Sequence, residues 1–239
     1  MSIITASLSN PGGRSINDDT VRIWEHDGNV CVFVGDGLGG YAGGQQASQA
    51  AAQALFGTSR RGSLLLEQQL IAAAESADRA VRDLQRSSQG KMKTTAVFLT
   101  LEDGRAKWMH VGDSRLYHFR NGHLKIQTMD HSVSQVAVLM GEITPRQIRF
   151  HEDRNRVLRA LGGDNAKPDV SPTVMLTRGQ DAFLLCTDGF WEYVYEEEME
   201  QLLQKNKEPE KWLAEMEKLI RKRAPENNDN YTAAAVFYE

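Results

Sequence analysis

Apolar residues along the 239-residue chain fall into short runs that are separated by turn-forming residues. The runs that predict strands span residues 2–9, 20–26, 30–35, 94–101, 105–111, 115–120, 123–127, 170–176, 182–187 and 231–238. The dipeptides Asp27-Gly28, Asp103-Gly104 and Asn121-Gly122 separate neighbouring runs. Such dipeptides favour two-residue hairpin turns, so the pattern predicts antiparallel pairing.

Helical periodicity predicts two pairs of longer helices, at residues 42–56 and 64–86 and at residues 196–203 and 209–223, and a short helix at 132–140. Together with the hairpins, these helices predict an α+β fold: a central β-sandwich of two antiparallel sheets flanked by pairs of α-helices. We expect residues 1–239 to form one domain, because no long linker divides them. Residues 131–165 contain few strand signals, and we interpret them as a flap over the surface.

The overall charge and composition exclude several classes of function. A net charge of -4 and a pI near 5.9 argue against a nucleic-acid-binding protein, which is normally basic. No apolar run is long enough to insert into a membrane, and the N-terminus lacks the basic start of a signal peptide. Cys31 and Cys186 lie in apolar runs, and the sequence has no Cys-x-x-Cys pattern. We therefore expect two buried free thiols, as is typical of a protein in a reducing compartment. We expect a cytoplasmic monomer.

Carboxylates recur at the ends of the predicted strands. The run Val32–Gly35 leads directly into Asp36 among glycines, and the same arrangement returns at Asp113 and Asp188. Asp18-Asp19 and Asp229 lie beside further strands. One Asp-Gly pair would predict only a turn, but five such sites predict a cluster that requires cations. Oxygen ligands without His or Cys favour Mg²⁺ or Mn²⁺, and two such ions about 4 Å apart can activate a shared water.

Other catalytic schemes fit the sequence less well. Ser114 lacks the Gly-x-Ser-x-Gly pattern of a nucleophile elbow, and the adjacency of His131 and Ser132 does not indicate a triad. The glycine-rich segment 35–44 precedes a predicted helix, as a phosphate-binding loop would, but it lacks the Gly-Lys-Ser/Thr of a P-loop. A glycosidase needs only two carboxylates.

The acidic sites belong to a series of motifs. In chain order they are Arg14-x-x-Asn17-Asp18-Asp19, Asp36-Gly37-Leu38-Gly39-Gly40, Thr94-Thr95, Gly112-Asp113-Ser114-Arg115, Asp130-His131-Ser132, Thr187-Asp188-Gly189 and Asp229-Asn230-x-Thr232. Each motif is weak alone. All seven in this order are a strong signal. The sequence closely resembles metal-dependent protein serine/threonine phosphatases of the protein phosphatase 2C family, in their compact bacterial form. The resemblance runs from about residue 6 to the C-terminus.

The resemblance implies roles for individual residues. Asp36 would bridge two Mn²⁺ or Mg²⁺ ions and Arg14 would bind the substrate phosphate, which makes these two the implied catalytic residues. The remaining implied ligands are Asp188 and Asp229 at one metal and Asp18 with the Gly37 carbonyl at the other, with some contacts through water. Asp113 and Glu192 would hold a third, weaker ion. The flap after His131 would influence substrate choice.

Three positions depart from the common family pattern. Glu192 stands where an aspartate is frequent, so a longer side chain would have to hold the third ion. Leu38 stands where some eukaryotic relatives carry a histidine that serves as general acid, which leaves the proton donor of this chain open. Asp18 stands where a glutamate is common, and its shorter side chain can reach a metal through water.

Three functional hypotheses remain at this stage. The first is an active phosphatase that acts on phosphoserine and phosphothreonine of phosphoproteins and opposes a bacterial serine/threonine kinase. The second is a catalytically silent module that binds phosphoproteins, for which the loss of a ligand aspartate would be the signature. The third is a structural sandwich in which the aspartates only cap turns. The complete acidic set favours the first.

Overall fold

The computed structural model describes residues 2–39, 43–59 and 63–239. Gly40 of the second motif and Ala42, the predicted start of the first helix, lie outside these residues. The strands are β1 Ile3–Asn10, β2 Thr20–His26, β3 Asn29–Gly35, β4 Gly37–Leu38, β5 Lys93–Thr94, β6 Ala96–Glu102, β7 Arg105–Val111, β8 Arg115–Arg120, β9 His123–Gln127, β10 Asp169–Val170, β11 Val174–Met175, β12 Asp181–Cys186 and β13 Tyr231–Tyr238. The helices are α1 Gly43–Ser59, α2 Glu67–Ser88, α3 Val133–Leu139, α4 Asp188–Trp191, α5 Glu196–Lys205 and α6 Pro209–Arg223, with a 3₁₀ helix at Pro145–Phe150.

The strands form two main antiparallel sheets. One sheet has the order β1-β13-β12-β8-β9, and the other has the order β10-β7-β6-β3-β2 with β11 also paired to β7. The three predicted hairpins are confirmed: they join β2 to β3, β6 to β7 and β8 to β9. Both residues of each turn dipeptide have positive φ, which Asn-Gly and Asp-Gly tolerate best.

The two sheets pack face to face, and helices cover both outer faces. The core between the sheets contains side chains from both, including Val32, Leu99, Phe183 and Val236. The outer face of the β3 sheet packs on α1 and α2, and the outer face of the β13 sheet packs on α5 and α6. The predicted α+β sandwich flanked by pairs of helices is therefore confirmed.

Some predicted boundaries were wrong for local reasons. The predicted strand 170–176 is interrupted between β10 and β11 at Pro172, which has no N–H to donate to β7. Helix α2 begins at Glu67 rather than at residue 64. Helix α4 was not predicted, because Asp188-Gly189 resembles a turn. Residues 131–165 have α3 and the 3₁₀ helix as their regular elements. The interpretation of this segment as a flap stays a prediction.

Among the described residues, no helix is both long enough and apolar enough to cross a membrane.

The packing of α6 on the sheet generates a test of the core. The Trp212 side chain is fully buried, and its Nε1–H donates to the Met199 carbonyl at 3.0 Å. We expect Trp212→Ala to lower the free energy of unfolding by about 3–5 kcal/mol, because a large cavity replaces the indole. The matched control is Leu139→Ala, at a side chain that is 70% exposed, with an expected change within about 0.5 kcal/mol. Urea denaturation followed by circular dichroism measures both, and equal effects would contradict this packing.

Candidate active site

An open cleft of about 370 Å³ lies at one end of the sandwich. Five of the predicted catalytic or metal-binding residues line it: Arg14, Asp18, Asp36, Gly37 and Asp229. Asn230 and four neighbouring residues complete the lining. Asp36 interacts electrostatically with Asp188, Asp113 and Asp229, and Asp188 in turn interacts with Glu192. The structure therefore brings together all the residues that the sequence proposed as catalytic or metal-binding.

Asp36 is held rigidly where β3 ends. Its N–H donates to Thr95 Oγ1 at 2.8 Å, and its carbonyl accepts from the Thr95 N–H and from Thr94 Oγ1, both at 2.9 Å. Thr95 Oγ1 also lies 2.6 Å from Ser114 Oγ, in the residue after Asp113. The Thr94-Thr95 motif therefore fixes the backbone of the central carboxylate and links it to the Asp113 turn.

Two glycines allow the backbone of α1 to approach the cleft. A Cβ on Gly37 would lie 2.1 Å from the Gly44 carbonyl oxygen, and a Cβ on Gly44 would lie 2.2 Å from the Gly37 oxygen. Asp18 accepts a hydrogen bond from the Gln45 N–H at the start of α1, at 2.9 Å. The close contact therefore places the Gly37 carbonyl and the Asp18 carboxylate beside each other at the N-terminus of α1.

Asn230 organises the cleft from the side of β13. Its Oδ1 accepts from the Asp18 N–H at 2.8 Å, and its Nδ2 donates to the Pro11 and Ile16 carbonyls at 2.9 and 3.0 Å. The Asn230 side chain thus ties the loop that carries Arg14 and Asp18 to the residue that follows Asp229. The sequence placed Asn230 in a motif without a role, because these contacts join segments that are more than 200 residues apart.

Several of these carboxylates lie close together at partly or fully buried positions, and their pKa values are raised. Burial and the neighbouring carboxylates hold the pKa values of Asp36 and Asp188 well above their usual range. Burial above all raises the pKa of Asp19 to about 7 and that of Asp113 to about 7. Asp19 Oδ1 is buried and has no hydrogen-bond partner among the described residues.

This donor set fits a hard divalent cation. It consists of carboxylate oxygens and one backbone carbonyl, which Mg²⁺ and Mn²⁺ prefer, and the residues that line the cleft include no His or Cys. A cation would also compensate the burial and the repulsion that together raise the pKa values of these carboxyl groups.

Arg14 lies at the mouth of the cleft. Its Nε and Nη2 donate to Oδ1 and Oδ2 of Asp229 at 3.2 and 3.3 Å. The Arg14 and Asp229 side chains are 56% and 46% exposed, so their pair faces solvent. A planar guanidinium at this place is suited to a bidentate contact with phosphate oxygens.

Two residues that the sequence did not single out contact the proposed third metal site. Arg154 of the flap donates from Nε to Glu192 Oε1 at 2.9 Å. The Trp191 Nε1–H donates to the Asp113 carbonyl at 2.9 Å. Glu192 therefore already has a cationic partner from this chain, and α4 fixes the backbone of Asp113.

A buried ion pair supports Trp191. The Arg115 guanidinium makes a bidentate contact with Asp130, at 2.8 and 2.7 Å, and lies 3.5 Å above the Trp191 ring. Both charged side chains are about 1% exposed. This ion pair therefore connects the segment that follows Asp113 to Asp130, the residue directly before the flap.

Comparisons with known proteins identify the family. The family described as protein phosphatase 2C matches residues 12–230, so the chain belongs to the protein phosphatase 2C family. The sequence resemblance is confirmed.

Individual relatives agree with this assignment. The serine/threonine protein phosphatase PstP of Mycobacterium tuberculosis is 32% identical over 230 residues, which cover 95% of this chain and 43% of PstP. This chain thus spans less than half the length of that relative. The serine/threonine phosphatase stp of Listeria monocytogenes is 31% identical over 198 residues, which cover 80% of this chain and 78% of stp. A structure of the PstP catalytic domain in complex with two manganese ions has a TM-score of 0.84 and 28% identity, over 98% of this chain and 97% of that one.

The acidic cleft generates a test that does not depend on activity. We expect saturating Mn²⁺ to raise the thermal unfolding midpoint by about 5–10 °C, because a ligand at 100 times its Kd stabilises the fold by about 2.7 kcal/mol. Asp36→Asn should lose most of this shift, since it removes the central charge. Asp83→Asn, at an exposed carboxylate of α2, should keep all of it. Differential scanning calorimetry with and without Mn²⁺ measures the shifts, and an unchanged shift in Asp36→Asn would rule out this site.

Proposed function

We propose that this chain is a metal-dependent protein serine/threonine phosphatase that hydrolyses phosphoserine and phosphothreonine in proteins. The observation that carries the proposal is one cleft in which Arg14 lies beside the carboxylates of Asp18, Asp36 and Asp229. Membership of the protein phosphatase 2C family and the printed names of the relatives support the reaction class.

We assign the metal ligands as the sequence suggested. Asp36 would serve both of two Mn²⁺ or Mg²⁺ ions, and the remaining ligands would be Asp188 with Asp229, Asp18 with the Gly37 carbonyl, and Asp113 with Glu192 at a weaker third ion. The manganese complex of the PstP catalytic domain supports a site for two ions. When bound, such ions neutralise the carboxylates and lower the pKa of water, so that water can attack phosphorus near neutral pH.

The side chains of the chain itself position the substrate. Arg14 holds two phosphate oxygens with its guanidinium fork, which orients the ester oxygen away from the carboxylates. No residue of the chain forms a covalent bond to phosphorus in this scheme. Leu38 lines the cleft and has no proton to give, so the alcohol leaving group takes its proton from another source.

The proposal extends to organisation and partners. We infer that residues 1–239 form one catalytic domain in which residues 131–165 act as a flap beside the cleft. The substrates are phosphoproteins produced by a serine/threonine kinase, and the chain acts as a cytoplasmic monomer. Contact between the flap and the proposed ligands, through Arg154 and Glu192, supports a role of the flap at the site.

Hydrolysis of p-nitrophenyl phosphate and of a phosphothreonine peptide tests the reaction. We expect activity with Mn²⁺, none with a chelator, and a loss of at least about a hundredfold in kcat/KM for Asp36→Asn, because one lost carboxylate disturbs both metal positions. Asp83→Asn is the matched control and should retain activity. A folded protein that binds the phosphopeptide without turnover would instead support the catalytically silent binder.

Substitution of Arg14 separates substrate binding from metal binding. We expect Arg14→Ala to raise KM for the phosphopeptide at least about tenfold, because the lost bidentate contact is worth at least about 1.4 kcal/mol of phosphate binding. The thermal shift with Mn²⁺ should remain, since Arg14 is not a metal ligand. Arg22→Ala, at an exposed arginine on β2, is the control. An unchanged KM in Arg14→Ala would remove Arg14 from the phosphate site.

A further inference from the structure

The first residue of the flap, His131, contacts both backbone groups of Gly112. The His131 N–H donates to the Gly112 carbonyl at 2.9 Å, and the Gly112 N–H donates to Nδ1 of the His131 ring at 3.1 Å. Gly112 has a φ of +105°, and a Cβ at this position would lie 2.6 Å from Thr95. The backbone that leads into Asp113 is therefore held in a conformation that only glycine adopts readily.

The contact with Gly112 defines the tautomer of His131. A backbone N–H can only donate, so Nδ1 must present its lone pair, and the proton of the neutral ring lies on Nε2. Nε2 is 3.2 Å from Asp169 Oδ2, which can accept this proton. Burial, followed by the neighbouring His110, lowers the pKa of His131 to about 4, which agrees with a neutral ring at pH 7.

Neighbouring side chains hold the ring in place. The His110 ring stacks on it with centroids 4.6 Å apart and an angle of 16° between planes. Nε2 of His110 donates to the Met129 carbonyl at 2.8 Å, which fixes the stacking ring itself. Arg159 donates to Asp169 Oδ1 at 2.8 Å and so orients the carboxylate that accepts from His131.

The same group of side chains could be mistaken for a metal site. Ligand atoms of His110, His131 and Asp169 lie within 4.8 Å of one another. However, Nδ1 of His131 already accepts from Gly112, so a metal at Nε2 would require an imidazolate. The Arg159 guanidinium also lies 3.3 Å from His131 Nε2, where it would repel a cation. The hydrogen-bond pattern therefore indicates that these side chains hold the Gly112 backbone in place rather than bind a metal.

We propose that His131 is a positioning residue for the phosphatase reaction, which accepts from the Gly112 N–H and thereby fixes the Asp113 carboxylate beside Asp36 and Asp188. Asp169 sets the tautomer that makes this possible. The inference rests on the proposed function, since Asp113 matters here as a ligand of the third ion. It assigns His131 no contact with the substrate.

Two substitutions at His131 separate the acceptor from the bulk of the ring. His131→Asn keeps an acceptor, because the amide oxygen of asparagine lies at the same distance along the side chain as Nδ1, whereas His131→Leu removes it. We expect His131→Leu to raise the Mn²⁺ concentration for half-maximal activity about tenfold, with KM for the phosphopeptide within about threefold of wild type. His131→Asn should stay within about threefold of wild type in both. Equal losses in the two variants, or no loss in His131→Leu, would overturn the proposal.

Nitrogen-15 NMR of the full chain gives a readout that does not depend on activity. We expect the His131 ring to show a protonated Nε2 and an unprotonated Nδ1 at pH 7, and the Gly112 amide to exchange faster in His131→Leu than in His131→Asn. A ring protonated on Nδ1 would overturn the proposal even in an active enzyme. If His131→Leu does not fold, His131→Phe, which keeps a planar ring but has no acceptor, replaces it. An inactive wild type with the expected tautomer would contradict the proposed function and leave the hydrogen bond established.

Discussion

Repulsion among buried carboxylates is the constraint on which the rest of this structure depends. Burial, followed by the proximity of other carboxylates that include Asp19 and Asp113, raises the pKa values of Asp36 and Asp188. Hydrogen bonds with neutral side chains help to hold these groups in place. Thr95 does so for Asp36, and Thr187 donates to Asp19 at 2.8 Å. The proposed divalent cations would compensate the repulsion that remains.

The sandwich explains how distant residues meet in this group. Asp36 follows β3 of one sheet, whereas Asp188 follows β12 of the other, and Asp229 precedes β13. Their distances are therefore set by how the two sheets pack, through the core that contains Val32, Phe183 and Val236. A close-packed core has little freedom to shift, so the carboxylates remain together despite their repulsion.

The sequence predicted those parts that depend on local chemistry. The bounds of β7, β8, β9 and β13 match the prediction, because turn dipeptides or motif residues mark their ends. Pro172 interrupts a predicted strand because it has no backbone N–H to donate. This effect is also local, but a single proline is easily overlooked in an apolar run. Arg154 contacts Glu192 across 38 residues and Trp191 contacts Asp113 across 78, so tertiary packing decided those contacts. Periodicity carries no information about them.

Two arginines of the chain neutralise proposed ligands, and they differ in how easily they can move. Arg14 occupies both oxygens of Asp229, but the pair is about half exposed, and exposed ion pairs contribute little to stability. Arg154 contacts one oxygen of Glu192, whose side chain is only 13% exposed. Removing this partner would leave a buried charge, which is costly. Arg14 can therefore turn from Asp229 to a phosphate at small cost, whereas Arg154 can leave Glu192 only if another cation replaces it.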